Sequence, residues 1–412
     1  MTYSLLEFIG GPAGSGKSTL LKTRKKVLMC APTGISALNL GDNVRTINST
    51  LNYFDSEDFK IKKEAGVIEK NLFKISAKYE RIGLDEISFV ESNQLDLLVL
   101  SILEHNKIVK ESDKLSKKHN ILGLTVLGDP AQLGPIKGLP FFKAKCWKLF
   151  NQIYLNTVRR QTNLEFINAL SAIREGKVLE VVDWFEENIG FSKELDKDFT
   201  GSTFFSTNKE VDSFNSYKLA QLRTPEKKYS TERSGAQDRD WKTIPDYITV
   251  KPGMKVMILC NNFEEGYANG NLAILKECFP GGVLVELIRN KRQVLIEYKQ
   301  LLNSVIQQRK NGEYYSKVIG SVTYLPIRQG DSSTIHKGQG LTLEEVQLDV
   351  RNDFMRKLTG SLYTGITRVV DYKGLKIVGS KDQFIKACYI NPMYLSYIQE
   401  LKSLNESNLL AA

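Results

Sequence analysis

Gly11-Pro12-Ala13-Gly14-Ser15-Gly16-Lys17-Ser18 satisfies G-x-x-x-x-G-K-[ST] at every fixed position. The short apolar run Leu5–Gly10 precedes it and reads as a strand. Thr19-Leu20-Leu21 follows it and reads as the start of a helix. A glycine turn arising by chance needs neither flank, whereas a phosphate-binding loop needs both. The glycines let backbone N–H groups converge on phosphate oxygens without Cβ clashes, and a helix N-terminus adds positive potential. Gly11, Pro12, Ala13, Gly14, Ser15, Gly16, Lys17, Ser18 and Thr19 are therefore the expected nucleotide contacts. Lys17 is expected to reach the β- and γ-phosphates, and Ser18 to ligate Mg²⁺.

Outward from this loop, Val27–Ala31, Arg81–Asp85 and Leu122–Gly128 are further apolar runs. Each ends in a small or acidic residue, as parallel strands facing a crevice do, so the first half is read as α/β. Only Thr19–Lys26 separates Ser18 from the next run, which predicts an unusually short helix. Gln94–Glu104 has helical spacing, and lysine-rich Lys107–Asn120 is expected as a solvated loop. Asn52–Tyr79 interrupts the alternation and reads as an insertion.

A second lobe is expected from near Asn156. It has helical patterns at Leu164–Arg174 and Lys209–Leu222, a strand at Ser202–Thr207 and a loop over Pro225–Pro245. Val256–Leu259, Val283–Ile288 and Val294–Tyr298, with Ala268-Asn269-Gly270 and Pro280-Gly281-Gly282 as turns, predict a small β module over about 253–325. The α/β pattern resumes at Val346–Val350 and Leu375–Val378. The expected division is 1–155, 156–390, and a C-terminal tail 391–412 whose helix frays at its ends.

Two further strand ends carry chemistry. Asp85 suits the Mg²⁺ shell and Glu86 the base that polarises an attacking water. Alone such a pair is a common strand cap; beside a phosphate loop it is informative. In Gly128-Asp129-Pro130-Ala131-Gln132-Leu133 the Gln132 amide is placed to sense a γ-phosphate.

Together these pieces resemble the RecD/Dda group of superfamily 1 DNA helicases. Ala31-Pro32-Thr33-Gly34 with Thr46-Ile47-Asn48-Ser49 is similar to its first DNA-contact motif, and Asp85-Glu86-Ile87-Ser88 to its acidic box. Val158-Arg159-Arg160-Gln161 resembles its arginine-finger motif. Thr334-Ile335-His336-Lys337-Gly338-Gln339-Gly340-Leu341-Thr342 is the most specific match, and Tyr363-Thr364-Gly365-Ile366-Thr367-Arg368-Val369 resembles the last motif.

The resemblance implies two RecA-like P-loop NTPase lobes with parallel sheets and ATP between them, the β module lying within the second. It implies catalytic roles for Lys17, Glu86, Gln132, Arg160 and Arg368, Mg²⁺ on Ser18 and Asp85, and further nucleotide contacts from Gln132, Gly338 and Gln339. It implies DNA contacts at Pro32, Thr33, Thr46, Asn48, Thr334, His336 and Lys337. A strand-separating pin is expected within 52–79 by position alone. Asn48 stands where the group commonly has histidine, and no residue is named as an adenine reader. The implied partners are single-stranded DNA and DNA junctions, engaged by a monomer.

Composition agrees with this class. Lys+Arg is 57 against 47 Asp+Glu, a net charge of +10 that favours a polyanionic partner, although many basic proteins bind none. No apolar run approaches the roughly 18 residues of a membrane span. Met1–Gly10 has no basic n-region or cleavage site, so no signal peptide is expected. The five cysteines are widely spaced with no C-x-x-C, which fits reduced cytosolic thiols rather than disulfides or zinc. The expectation is an ATP-driven DNA helicase. Three alternatives stay open: a DNA-stimulated translocase that does not unwind, a P-loop kinase of small metabolites, and a nucleic-acid-binding module with a dead nucleotide site.

Overall fold

The computed structural model describes residues 4–41, 44–237, 241, 244–262, 264–308 and 314–410. Its first sheet is built from β1 (Leu6–Gly10), β2 (Val27–Ala31), β3 (Arg45–Thr46), β4 (Arg81–Leu84), β5 (Gly123–Gly128) and β6 (Asn151–Tyr154) in the order β3-β2-β4-β5-β1-β6. Every neighbouring pair is parallel. β1, β4 and β5 are buried at every residue, which is why they read as largely apolar runs; their polar members Glu7, Arg81 and Thr125 hydrogen-bond one another. Parallel pairing puts all carboxyl ends on one edge, so the loops after β1, β2, β4 and β5 gather there. The helix after the phosphate loop, Lys17–Lys22, is as short as the spacing requires.

A second sheet has the order Ser332–Thr334, Ser202–Phe205, Val346–Asp349, Leu375–Val378, Phe191–Ser192, with parallel pairing among the last four. The chain forms two compact units, Met1–Asn208 with Ser333–Ala412, and Lys209–Ser332. The second unit is antiparallel. Gln293–Glu297, Gly282–Leu287, Leu272–Phe279, Lys255–Ile258 and Ile327–Gln329 make one sheet over a core of Val256, Leu275, Val283, Val285 and Ile296. Glu232–Gly235, Tyr314–Tyr324 and Lys299–Gln308 make another.

Several expectations need correction. Pro225–Pro245 holds two strands, Lys227–Ser230 and Glu232–Gly235. The latter is exposed at every residue, so no apolar alternation marks it. The β unit is accordingly wider than 253–325. Lys107–Asn120 is not a loop: one helix runs Ser92–Glu111 and a short one covers Asp113–Ser116. Leu95, Leu98, Val99, Ile102 and Val109 keep one face of the long helix buried, while its lysines face water. The insertion folds as helices Ser56–Glu64 and Val67–Ser76, with Phe59, Ile68, Leu72 and Ile75 in the core.

The segment expected as a tail forms the helix Pro392–Leu410. Tyr394, Tyr397 and Leu401 join the first lobe's core, where the Tyr397 ring stacks on Phe142 with centroids 4.4 Å apart. Ile398, on the same helix, joins the second lobe's core. This helix therefore fastens both halves of the α/β unit.

Candidate active site

The phosphate loop turns on glycines that other residues would not replace. Gly14 and Gly16 have φ of 77° and 86°, and a Cβ on Gly14 would lie 2.5 Å from the Arg160 Cβ. Lys17 Nζ donates to the Gly11 and Pro12 carbonyls, both at 2.8 Å. Burial draws its pKa below the ordinary lysine value, while Asp129, Glu86 and Asp85 act against that fall.

Ser18 Oγ donates to Asp85 at the end of β4, so the expected metal pair is already side by side. A hydroxyl next to a carboxylate is a hard-oxygen set that fits Mg²⁺, which takes few protein ligands and keeps waters and phosphate oxygens. Glu86 follows with φ 51°, an unusual backbone for a glutamate, and its N–H donates to Asp85 Oδ1 at 2.9 Å. Burial and the Asp85 charge push the Glu86 carboxyl upward; Arg368, Lys17 and Arg160 pull the other way. A raised carboxyl beside cations is the environment of a general base.

Arg160 lies in the loop between β6 and the helix Leu164–Arg174, and Arg368 just beyond the helix Ser361–Ile366. Arg160 Nη1 donates to Thr367 O at 3.1 Å. Arg368 is buried, donates through Nε to Thr364 O at 2.9 Å, and reaches Gln132 Oε1 with Nη2 at 3.4 Å. Burial and the Arg160 charge bring the Arg368 pKa down to about 10. A cleft of about 380 Å³ is lined by Ala13 to Thr19, Asp85, Glu86, Gln132, Arg159, Arg160 and Arg368. An open depression of about 730 Å³ at Thr23, Arg24, Glu80 and Arg81 is larger but holds no motif residue. Gly11 and Pro12 support Lys17 rather than line the cleft. Gly338 and Gln339 are also outside it, against expectation. A Cβ on Gly338 would meet the Phe204 ring, and Gln339 Nε2 donates to Ser88 Oγ at 3.0 Å.

Of the expected DNA positions, Pro32 and Thr33 follow β2, Thr46 and Asn48 lie at and after the end of β3, and Thr334, His336 and Lys337 lie at and after the Ser332–Thr334 strand of the second sheet. Thr33 Oγ1 accepts from Ser36 N at 3.2 Å ahead of the helix Gly34–Leu40. Thr46 caps Ile47–Leu51 by accepting from Ser49 N at 3.1 Å. Pro32 is half-buried beside Thr33. Asn48 Nδ2 donates to Phe54 O at 2.7 Å. Thr334 is buried at the N-cap of Ile335–Gly338, which carries a half-buried His336 and an exposed Lys337. Burial lowers the His336 pKa.

An AAA domain family model matches residues 1–194. ATP-dependent DNA helicase Pif1 of Campylobacter jejuni is 26% identical, over 91% of this chain and 89% of its own. ATP-dependent DNA helicase Pif1 of Bdellovibrio bacteriovorus is 25% identical, over 96% and 89%. The crystal structure of a Bacteroides Pif1 helicase in complex with ADP-AlF3 and ssDNA superposes with a TM-score of 0.75 at 25% identity, over 97% of this chain and 94% of that one. The chain is similar to the Pif1 helicases over nearly its whole length. The resemblance to the RecD/Dda group of superfamily 1 DNA helicases stands with this likeness. The fold is accordingly α/β with RecA-like lobes.

The structure adds residues that the motifs did not single out. Arg159, inside a quoted motif, donates its N–H to Gly14 O at 2.8 Å and lays its stem near Gly16. Tyr363 and Asp129 also lay inside quoted motifs, but nothing in their spacing distinguished them from packing residues. Arg174 carried no signal at all: it ends an ordinary amphipathic helix, Leu164–Arg174, and is nonetheless buried.

Proposed function

We propose that this chain is an ATP-dependent DNA helicase that translocates 5′-to-3′ on single-stranded DNA and separates duplex ahead of it. The observation that carries the reading is that Arg160 and Arg368, remote in sequence, line the same cleft as Lys17, Glu86 and Gln132. Phosphoryl transfer needs positive charge around the transferring group, and here one lobe supplies the loop and the other the arginines. A metabolite kinase needs no such second source.

Lys17 and the amides of the glycine loop hold the β- and γ-phosphates. Ser18 and Asp85 hold Mg²⁺, which when bound offsets phosphate charge. Glu86 takes the proton of the attacking water while the Gln132 amide orients it. Arg160 and Arg368 stabilise the charge that develops on the γ-phosphate, and Arg159 contributes binding from the rim. Single-stranded DNA runs over Pro32, Thr33, Thr46, Asn48, Thr334, His336 and Lys337. Hydroxyl, amide and cationic donors there grip backbone phosphates without reading sequence.

Phe54 fits the pin. It is 69% exposed, and its N–H donates to Asp58 and its carbonyl accepts from Asn48, so the backbone that carries an exposed apolar ring is fixed next to the proposed strand contact Asn48. The reading takes the monomer as the working unit. Among the described residues no helix is long and apolar enough to cross a membrane.

The test is ATP turnover with and without a single-stranded oligonucleotide, joined to unwinding of duplexes bearing only a 5′ or only a 3′ tail. Stimulated turnover and unwinding of the 5′-tailed duplex are expected. No stimulation at any salt concentration would defeat the helicase reading and favour a kinase; stimulation without unwinding would leave a translocase.

A further inference from the structure

Behind the phosphate loop lies a fully buried polar group that meets the cleft wall at Ala13 and at the Gln132 backbone amide, which donates to Asp129 O at 3.1 Å. Asp129 Oδ1 accepts from Arg174 Nε at 3.0 Å, Arg174 Nη2 at 2.8 Å and Ala131 N at 3.1 Å. Asp129 Oδ2 accepts from the Tyr363 hydroxyl at 2.9 Å. That hydroxyl in turn accepts the Ala13 amide at 3.0 Å. None of Ala13, Asp129, Arg174 and Tyr363 is more than 4% exposed. One hydroxyl thus joins the phosphate loop, the loop after β5 and the second lobe.

The helix bearing Tyr363, Ser361–Ile366, sits on the loop after β5 with no slack. Leu133 N donates to Thr364 Oγ1 at 3.0 Å, and a Cβ on Gly360 would fall 2.1 Å from Ala131 O. Arg368 follows the same helix and is tied back to it through Thr364 O. Any movement of Ala13 relative to this helix must therefore move Arg368 relative to the phosphates.

We propose that Tyr363 is a positioning residue for hydrolysis: its hydroxyl, oriented by Asp129 and Arg174, sets the register of Arg368 against the phosphate loop. This rests on the nucleotide reading of the cleft. Tyr363 does not line that cleft, so it acts through Ala13 and Arg368 and not on the reacting atoms. Its loss should appear in turnover more than in nucleotide binding, because among the groups of the phosphate loop only the Ala13 amide is its partner, and Lys17, Ser18 and the other loop amides are not.

The experiment compares the full-length parent, Tyr363→Phe, Arg368→Lys and the double variant. ATP is titrated at saturating single-stranded oligonucleotide, and thermal midpoints confirm folding. Tyr363→Phe should lower kcat by about tenfold or more, ~1.4 kcal/mol of barrier per factor of ten, with KM shifted less than about threefold. In the Arg368→Lys background the same change should cost less than about threefold, because the group it positions is already displaced. Thr364→Val, which removes only the acceptor for Leu133 N, should move kcat the same way by a smaller factor. It also reads the register if Tyr363→Phe folds poorly. Equal kcat loss in both backgrounds would overturn the proposal, as would unchanged kcat in both Tyr363→Phe and Thr364→Val. A parent without turnover overturns the nucleotide reading and this inference with it. An active parent beside unchanged variants overturns this inference alone.

Discussion

Replacing Arg174 by Met should destabilise the α/β unit in a way that depends on pH, and the sign follows from the burial of Asp129. The substitution keeps the apolar stem and removes the guanidinium. Asp129 is fully buried, and Arg174 supplies two of the hydrogen bonds to its Oδ1. Removing one partner of a buried pair typically costs about 3–5 kcal/mol, because the other charge is left uncompensated. The lower end, about 3 kcal/mol, applies here: Ala131 N and the Tyr363 hydroxyl remain, and the Lys17 charge also acts on Asp129. At 2–4 °C per kcal/mol for a unit of this size, the thermal midpoint should drop by roughly 6–12 °C.

In the parent, burial pushes the Asp129 carboxyl up, but Arg174 and Lys17 outweigh it and hold it below its usual value. It therefore adds stability above its unfolded pKa, and that stability is lost as pH falls through the lowered folded value. Without Arg174, burial dominates and the folded pKa rises. The variant's penalty should then be full near pH 8 and shrink as pH falls toward about 4, where a neutral Asp129 no longer needs a counter-charge. Urea unfolding followed by circular dichroism between pH 5 and 8 measures the difference. A penalty under about 1 kcal/mol, or one constant across that range, would refute the view that Arg174 is there to hold a buried carboxylate.

Glu86→Gln should cut kcat by on the order of 10²–10⁴ while nucleotide still binds. Because burial and Asp85 raise this carboxyl, the acid limb of the parent's kcat–pH profile should lie above the usual glutamate value of 4.5; a limb at or below it would remove Glu86 as the base. Arg159→Ala should raise KM for ATP about threefold to tenfold with kcat little changed, the pattern of lost uniform binding. An equal fall in kcat would move Arg159 into the reacting centre. Phe54→Ala should slow unwinding of a forked duplex about tenfold through lost base stacking, leaving oligonucleotide-stimulated turnover within about twofold. Parallel loss of both would deny it the pin role.

What the sequence discloses and what it hides divide along physical lines. β1, β4 and β5 were legible because a parallel strand covered on both faces is mostly apolar, the buried Glu7, Arg81 and Thr125 being tolerated because they hydrogen-bond one another. The loop Gly11–Ser18 was legible because close backbone approach to phosphate restricts residue choice. Glu232–Gly235 was illegible because an exposed strand has no side of the chain to mark. The Pro392–Leu410 helix does carry a signal, Tyr394, Tyr397, Ile398 and Leu401 at helical spacing, but not that one side of it meets each lobe. Arg174 was hidden for a different reason. A buried arginine looks like any surface arginine until the carboxylate that neutralises it, 45 residues away, is placed against it.

The Thr334–Thr342 stretch was expected to serve DNA and nucleotide together, and its contacts assign the halves differently from a simple split. Gln339 does not enter the cleft; it holds Ser88, two residues beyond Glu86, at the 3₁₀ turn Ile87–Phe89 that Glu86 leads into. Gly340, with φ 84°, lies against Ser36, the same serine that Thr33 engages through its hydroxyl. One short loop of the second lobe therefore rests on the base-bearing turn at one residue and on a strand-path helix at the next. Under the proposed function, that arrangement gives a physical route for linkage, since a ligand that shifts the Thr33 helix and one that shifts the turn bearing Glu86 would both act on this loop. On that proposal, coupling needs no residue that touches both ligands, only a short loop packed against both elements.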